Sequence, residues 1–428
     1  MKDIIKNRRE FHKYPEKSWD EVRTSARIAQ ILESYGIKDI FMGTEAVNKD
    51  TLKYPIELSP KRREDNMKRA VLQGADEEYV KRTDGYPGVV AVIDTGKSGP
   101  AFALRFDIDC LPYEEECDIE APAQRDGYKS VNTGCTHACG HDAHAAIGLE
   151  LARRITENID RYKGTIKLIF QPAEETTLGA ESIVDKGHLD NIDYFLAVHL
   201  ALSAENVPLP SHTLACGVKD FMSCRALDVT FHGKADHPCG AAQEGRNALL
   251  AACSAALNLH SIAHHEKGLC RVNVGKIEGG VCTNTIAPEC TIELEYRGQY
   301  KEITEYLRER VFDILDGSAL AYGLKYSYID HGEVPAGCSD DELMETVQQA
   351  AENVPWFEKI YFEGNLGGTD DAAVMMNKVQ EQGGLGVYIG IGTDITNPLH
   401  HPAFDFDEEC LEATVDLLEE TIKILIMN

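Results

Sequence analysis

Two hydrophobic rhythms share this chain, and the place where one interrupts the other constrains the fold most. Residues 225–232, 271–277, 291–297 and 325–329 read as strands, while 247–262 and 302–320 carry apolar residues at helical spacing. That order, β-α-β-β-α-β over about 110 residues, is the order of a ferredoxin-like module. The flanking sequence behaves differently. Apolar runs at 89–93, 101–105, 166–170 and 195–198 suit strands buried on both faces, and helical patterns separate several of them, notably at 143–155. Beyond the module come a helix near 341–352, a strand at 387–391 and a closing helix at 408–426. An α/β rhythm that stops and later resumes predicts a discontinuous α/β domain, residues 1–220 and 334–428, with an inserted α+β lid at 221–333.

The first segment opens with helices. Residues 18–35 carry Val22, Ala26, Ile28, Ala29, Ile31 and Leu32 at helical spacing and stop at Gly36. Ser59 followed by Pro60 reads as an N-cap and a first-turn proline. The two dozen residues after it are strongly charged, with only Met67, Val71, Leu72 and Tyr79 as an apolar stripe. This predicts a surface helical insertion spanning about 45–86.

Composition excludes several function classes. With 43% hydrophobic and 27% charged residues in 428, the chain is no disordered or collagen-like polymer. Its 43 basic and 71 acidic residues leave a net charge of −28, which disfavours nucleic acid and anionic membranes as partners. No stretch approaches a membrane span, and the first ten residues lack the apolar core of a secretion signal. Thirteen scattered cysteines suit reduced thiols, so a cytoplasmic protein is expected.

The densest chemical signal is Thr136-His137-Ala138-Cys139-Gly140-His141-Asp142-Ala143-His144. Thiolate and imidazole are good ligands for zinc and related ions, and Gly140 permits a close backbone approach. A loop with incidental histidines around a buried cysteine is the plain alternative. Four further features weigh against it. Glu174 and Glu175 follow an apolar strand, where α/β sheets place their sites. His199 closes another apolar run, Asp107 and Asp109 close a third, and His400 and His401 lie far along the chain. A buried aspartate bonded to a metal-ligating histidine is a common supporting arrangement.

These residues together resemble a known family. His137-Ala138-Cys139-Gly140-His141-Asp142, Gln171-Pro172-Ala173-Glu174-Glu175, Ala197-Val198-His199, Gly233 with His237, and His400 look like the motif set of the M20 metallopeptidase/amidohydrolase family. The subgroup is the one with aminoacylase-, hippurate hydrolase- and auxin-conjugate hydrolase-like enzymes. Within it, the insertion after Asn48 and residues 166–170 and 271–275 are similar to the hydrolases of p-aminobenzoyl-glutamate. The resemblance implies a zinc-peptidase-like catalytic domain of mixed sheet with a ferredoxin-like dimerisation lid. It implies two divalent ions per subunit, Mn2+ or Zn2+, on Cys139, His141, Glu175, His199 and His400. Glu174 would be the general base, and Asp109 a carboxylate supporting a ligand. His237, Asn284 and Arg297 would hold the scissile carbonyl or the substrate's carboxylate, with His237 reaching the neighbouring subunit's site. The activity implied is hydrolysis of the amide bond of N-acyl amino acids, p-aminobenzoyl-glutamate or a related conjugate. The partners implied are a small substrate with a free carboxylate and a second copy of the chain; the alternative partner is a paralogous chain.

Two segments depart from the family's usual pattern. Asp236-His237-Pro238-Cys239 is more polar than the usual small-residue run, and Gly367-Gly368-Thr369-Asp370-Asp371 replaces Gly-Ser-Glu-Asp. Both border the expected pocket, so Gly368 is expected beside the substrate, and the departures bear on specificity rather than on metal chemistry. A dipeptidase or carboxypeptidase of the same family is the rival activity. A non-catalytic protein would be expected to lose the base or the ligands, and Cys135 with Cys139 lacks the spacing of a redox pair.

Overall fold

The computed structural model describes residues 2–52 and 58–427. Residues 53–57 of the expected insertion lie outside the described residues. The first strands are β1 (Asp39–Met42), β2 (Val89–Asp94), β3 (Ala101–Asp107), β4 (Thr165–Gln171) and β5 (Tyr194–Leu200). A small ribbon, β6 (Ser203–Ala204) and β7 (Val207–Pro208), precedes β8 (Thr213–Val218). Then come β9 (Cys224–His232), β10 (Cys270–Gly279), β11 (Glu289–Gly298) and β12 (Lys325–Val334). The chain returns with β13 (Lys359–Gly364) and β14 (Leu385–Ile391).

Eight strands form one mixed sheet in the order β1-β2-β4-β3-β5-β14-β8-β13. Its centre is parallel, β4 with β3, β3 with β5 and β5 with β14, while β1, β2 and β4 pair antiparallel. Alternation along the central strands explains why both faces are buried. Phe102, Leu104 and Phe106 join the core beneath the helices Asp3–Lys13, His141–Glu157 and Cys410–Leu425, whereas Ala103 joins the core under Ala372–Glu381. β13 went unseen in the sequence because, as an edge strand, it carries only the three-residue apolar run Ile360-Tyr361-Phe362 between charged residues, and none of these three is fully buried.

The other large sheet, β10-β11-β9-β12, is wholly antiparallel. Cys290, Ile292, Leu294 and Tyr296 of β11 pack under the helices Ala248–Leu259 and Lys301–Ala321, and the alternate residues form an open face. The expected β-α-β-β-α-β order is present. The first helix starts after Asn247, whose side chain accepts the Leu250 N–H at 3.1 Å.

Two local expectations are corrected. The helix predicted over 18–35 begins only at Val22, because Ser18 turns to give its hydroxyl to Asp109 at 2.6 Å, with Trp19 at φ +66°. In the insertion, Ser59 caps the helix Pro60–Leu72 as expected, but Leu72 is 87% exposed. Met67 and Tyr79 of the expected stripe do pack on this face, together with Ala70 and Val80 against Val22 and Ala26, because the helix Glu77–Thr83 folds back over it.

Candidate metal centre and substrate cleft

Parallel pairing aligns the ends of β4, β3 and β5, and the site gathers there. β3 delivers Asp107 and, two residues on, Asp109; β4 leads to Glu174 and Glu175; β5 carries His199 next to its last residue. The helix His141–Glu157 brings its N-terminus to the same place. It lies close against β3 and β4 because Gly148 has no Cβ, which would otherwise meet the Phe106 and Phe170 rings at 2.6 and 2.8 Å. Gly140, at φ +87°, makes the turn that sets Cys139 before the helix and His141 at its start. His400 arrives on a loop rather than a strand end, at φ +65°, and its N–H donates to the Ala138 carbonyl at 2.8 Å. Ala173 at φ +56° and Ala201 at φ +58° are further left-handed non-glycine residues around the site. Such backbone is costly and persists where surrounding structure enforces it.

Cys139 Sγ lies 3.5 Å from His199 Nε2 and 3.4 Å from His400 Nε2. His400 Nε2 is 3.7 Å from Glu175 Oε2, and His141 Nε2 is 3.9 Å from both Glu174 Oε2 and Glu175 Oε1. Cys139, His141 and His199 form one cluster with ligand atoms within 4.8 Å of one another, and Cys139, Glu175 and His400 form a second. His141 Nε2 and Glu175 Oε1 are buried without a hydrogen-bond partner. Orphaned buried polar atoms are rare in folded proteins, and these two point into the cluster. The opposite ring nitrogens are engaged. His141 Nδ1 donates to the Asp109 carbonyl at 3.0 Å, and His199 Nδ1 to the Leu200 carbonyl at 2.7 Å. Each bond leaves an Nε2 lone pair facing inward, the tautomer that a metal-ligating histidine needs.

Electrostatics agree with that reading. Burial, reinforced by Glu175 and Glu174, holds the Cys139 thiol well above its ordinary range. Burial and then Asp370 and Glu175 raise Glu174 well above a usual carboxylate, and burial raises Glu175 to about 7. Burial opposes charge on His141, yet Asp107 and Asp109 outweigh it and push the ring up to about 10. A buried set of acids pushed toward their neutral forms is an environment that favours a cation, which inverts each of these preferences.

Asp109 lies behind this wall rather than on it. Its Oδ1 faces His141 Nδ1 at 3.2 Å and the Glu174 N–H at 3.1 Å; its Oδ2 accepts from the Glu175 N–H at 3.0 Å and from Ser18. The cleft beside the cluster has a volume of about 360 Å³. Glu174, Glu175, Cys139 and His400 face Arg297 and Gly368 across it. Arg297 presents one edge of its guanidinium to Glu295, at 3.0 and 2.9 Å, and Nη1 to the Thr369 hydroxyl at 3.4 Å. His237 and Asn284 are exposed and do not line this cleft, so one chain does not bring them to its own cluster of Cys139, Glu175 and His400. His401 is exposed too and accepts the Ala403 N–H at 3.1 Å on Nδ1.

A supporting layer escaped the sequence reading. The fully buried Arg105 reaches Asp107, Asp370, Asp371 and Gln171, and Tyr388 donates to Asp370. His144 bonds Asp107 through Nδ1 and accepts the Leu200 N–H at 3.1 Å through Nε2. The available signal was the charged pair Arg105 and Asp107 inside an otherwise apolar strand, since such charges are buried only when paired.

Residues 103–424 match the family described as peptidase family M20/M25/M40. The chain belongs to this family. Among M20 relatives, a p-aminobenzoyl-glutamate hydrolase homolog of Haemophilus influenzae is 35% identical over 426 residues, covering 100% of this chain and 99% of that protein. The indole-3-acetyl-aspartic acid hydrolase of Enterobacter agglomerans is 37% identical, covering 98% of this chain and 95% of its own. The crystal structure of an aminobenzoyl-glutamate utilization protein from Klebsiella pneumoniae superposes with a TM-score of 0.77 at 31% identity, covering 99% and 95% of the two chains. The mixed sheet with its cluster at the strand ends is therefore an M20 hydrolase architecture. No helix among the described residues is long and apolar enough to cross a membrane.

Proposed function

We propose that this chain is a metal-dependent amidohydrolase of N-acyl amino acids, with p-aminobenzoyl-glutamate the first substrate to try. The observation that carries the reading is the convergence of Cys139, His141, Glu175, His199 and His400 around Glu174, with His141 Nε2 and Glu175 Oε1 aimed inward unpartnered. The two donor clusters, Cys139 with His141 and His199, and Cys139 with Glu175 and His400, support two divalent ions, Mn2+ or Zn2+, which these five residues would hold. Bound there, the ions supply Lewis acidity that polarises an amide carbonyl and acidifies a water. Glu174 takes the water's proton as its oxygen adds to the carbonyl carbon, then passes that proton to the departing amine nitrogen as the C–N bond breaks. The burial that raises the Glu174 carboxyl suits both halves of this exchange. Asp109 fixes the ring of His141 and the backbone of both glutamates, and Arg297 receives the substrate's α-carboxylate.

The working unit is a homodimer in this reading; pairing with a paralogous chain is the alternative. The edge strand β10 exposes Ile277, and the following loop exposes Val281 near Asn284, a surface that favours covering. His237 then serves the neighbouring subunit's cleft. Thirteen cysteines, none of them in a disulfide, suit a cytoplasmic setting.

The test is amine release from a panel of N-acyl amino acids and dipeptides by protein loaded with Mn2+ or Zn2+, beside chelated protein. Metal-dependent release from N-acyl amino acids is expected. Cleavage of dipeptides alone would replace this reading by a dipeptidase, and release that survives full chelation would overturn the metal assignment.

A further inference from the structure

The cleft beside the metal cluster does not end at Arg297. A second cavity of about 520 Å³ continues from it along the lid sheet, and both are lined by Arg297 and Gly368. Its other walls include Arg271, Asn273, Gln299 and Asp220. Strand register explains the position of Arg271. It is the direct cross-strand partner of Arg297, and opposed residues on paired strands share one face of a sheet. That face is the open one, since Leu294 and Tyr296 of β11 point to the helices while Glu295 and Arg297 point away.

Two arginines directly opposite each other are an unfavourable pair, with Cβ atoms about 4.5–5.5 Å apart. Arg297 has an internal answer, the two bonds to Glu295. Arg271 has none. Its Nη1 donates to the Cys270 carbonyl at 2.8 Å, and among the described residues it forms no ion pair. Asp220, the other carboxylate on this wall, accepts the Leu366 N–H at 2.9 Å. Gln299 commits its carbonyl oxygen to the Leu269 N–H at 3.0 Å, which leaves its amide hydrogens as neutral donors beside Arg271. An unpaired guanidinium in a chain of net charge −28, on a cavity continuous with the reaction cleft, is a receptor for an anion.

Building on the amidohydrolase reading, we propose that Arg271 determines specificity by receiving the side-chain carboxylate of a dicarboxylic N-acyl amino acid. Arg297 receives the α-carboxylate, and two carboxylates separated by the Cα and one or two methylenes match two guanidinium groups on opposed strand positions. The substrate class is then the aspartyl and glutamyl conjugates. Neutral amino acids of the same size bind the same cleft without the second contact. The neutral Arg297–Glu295 unit cannot supply that selectivity, because every N-acyl amino acid carries the α-carboxylate it meets.

The experiment compares N-benzoyl-glutamate with its near-isostere N-benzoyl-glutamine, on metal-loaded wild type, Arg271→Gln and Arg297→Ala. Wild type should prefer the glutamate substrate by about 10- to 100-fold in kcat/KM, mainly through KM, as expected for one charged hydrogen-bonded contact. Arg271→Gln should erase that preference and leave the glutamine substrate within about twofold of wild type, whereas Arg297→Ala should weaken both substrates together. Equal losses on both substrates in Arg271→Gln would make it a structural residue and overturn the proposal. Equal use of both substrates by wild type would overturn it while leaving the amidohydrolase reading intact. Hydrolysis of neither substrate, nor of any N-acyl amino acid, would remove both.

Discussion

Exchanging Asp109 for asparagine isolates the residue that holds the cluster together without facing the substrate. Four donors converge on this carboxylate: His141 Nδ1 and the Glu174 N–H on Oδ1, Ser18 Oγ and the Glu175 N–H on Oδ2. An amide of the same shape keeps one oxygen and sets an NH2 group against the other two donors. Two bonds to a charged acceptor are lost at about 1.5–3 kcal/mol each, and the surviving pair weakens because its acceptor is now neutral. The metal-free protein should therefore lose about 3 kcal/mol or more of stability, measured as the shift in its urea midpoint. The same bonds aim His141 and Glu175, so Asp109→Asn should weaken metal binding about 10- to 100-fold in competition with a chromophoric chelator. Ser18→Ala removes only one of the four bonds and serves as the control, with a loss of about 1 kcal/mol and near-normal metal affinity. Wild-type metal affinity in Asp109→Asn would refute the argument that this carboxylate positions the ligands.

The adjacent glutamates should separate by role: Glu174→Gln keeps its metal and loses about 10²–10⁴-fold in kcat, whereas Glu175→Gln loses metal in elemental analysis. If Glu174→Gln turns over at the wild-type rate, the proton-transfer role belongs elsewhere. Mixing the inactive variants His237→Ala and Glu174→Gln under verified subunit exchange should restore part of the activity, and no recovery would place His237 outside the partner's site. His12 supplies a pH prediction. Burial works against its charge, but Asp142 at 2.8 Å and Glu115 at 3.3 Å prevail and raise it from 6.5 to about 9. The sign follows from the raised value: the stabilisation is complete below about pH 6.5 and is lost as pH rises through about 9, for about 3 kcal/mol in all. Urea unfolding of His12→Gln should lack this slope between pH 6.5 and 9; an unchanged slope would assign it to another group.

What the sequence revealed depended on how local its physical cause was. Glu174, Glu175 and His199 were legible because each lies in or next to an apolar run, where an ionisable side chain stands out, and Cys139 and His141 because metal-binding residue types crowd into 136–144. The β-α-β-β-α-β order of the antiparallel sheet was legible because its strands alternate cleanly, with Cys290, Ile292, Leu294 and Tyr296 buried and their neighbours more exposed. Arg105 was not, because its meaning lies in Asp370 and Asp371, some 265 residues away in sequence and brought close only by the sheet. Ser18, read as the first residue of a helix, misled for the same reason, since its hydroxyl donates to Asp109. These distant partners share one consequence. Asp371 accepts the Gln171 amide at 2.7 Å and the Gly179 and Ala180 N–H groups at 3.0 and 2.9 Å, so it clamps the loop that carries Glu174 and Glu175. Asp370 and Asp371 begin the return of the chain from Gly368 and Thr369, which line the wall facing the ligands. Thr369 in turn joins Arg297 to the Met222 carbonyl, at the point where the chain enters the antiparallel sheet. One continuous set of bonds thus runs from the ligand-bearing loop, through the buried Arg105 cluster, to the arginine proposed to hold the substrate. These bonds brace a site assembled from loops with left-handed residues at Ala173, Ala201 and His400, whose costly backbone persists where surrounding structure enforces it.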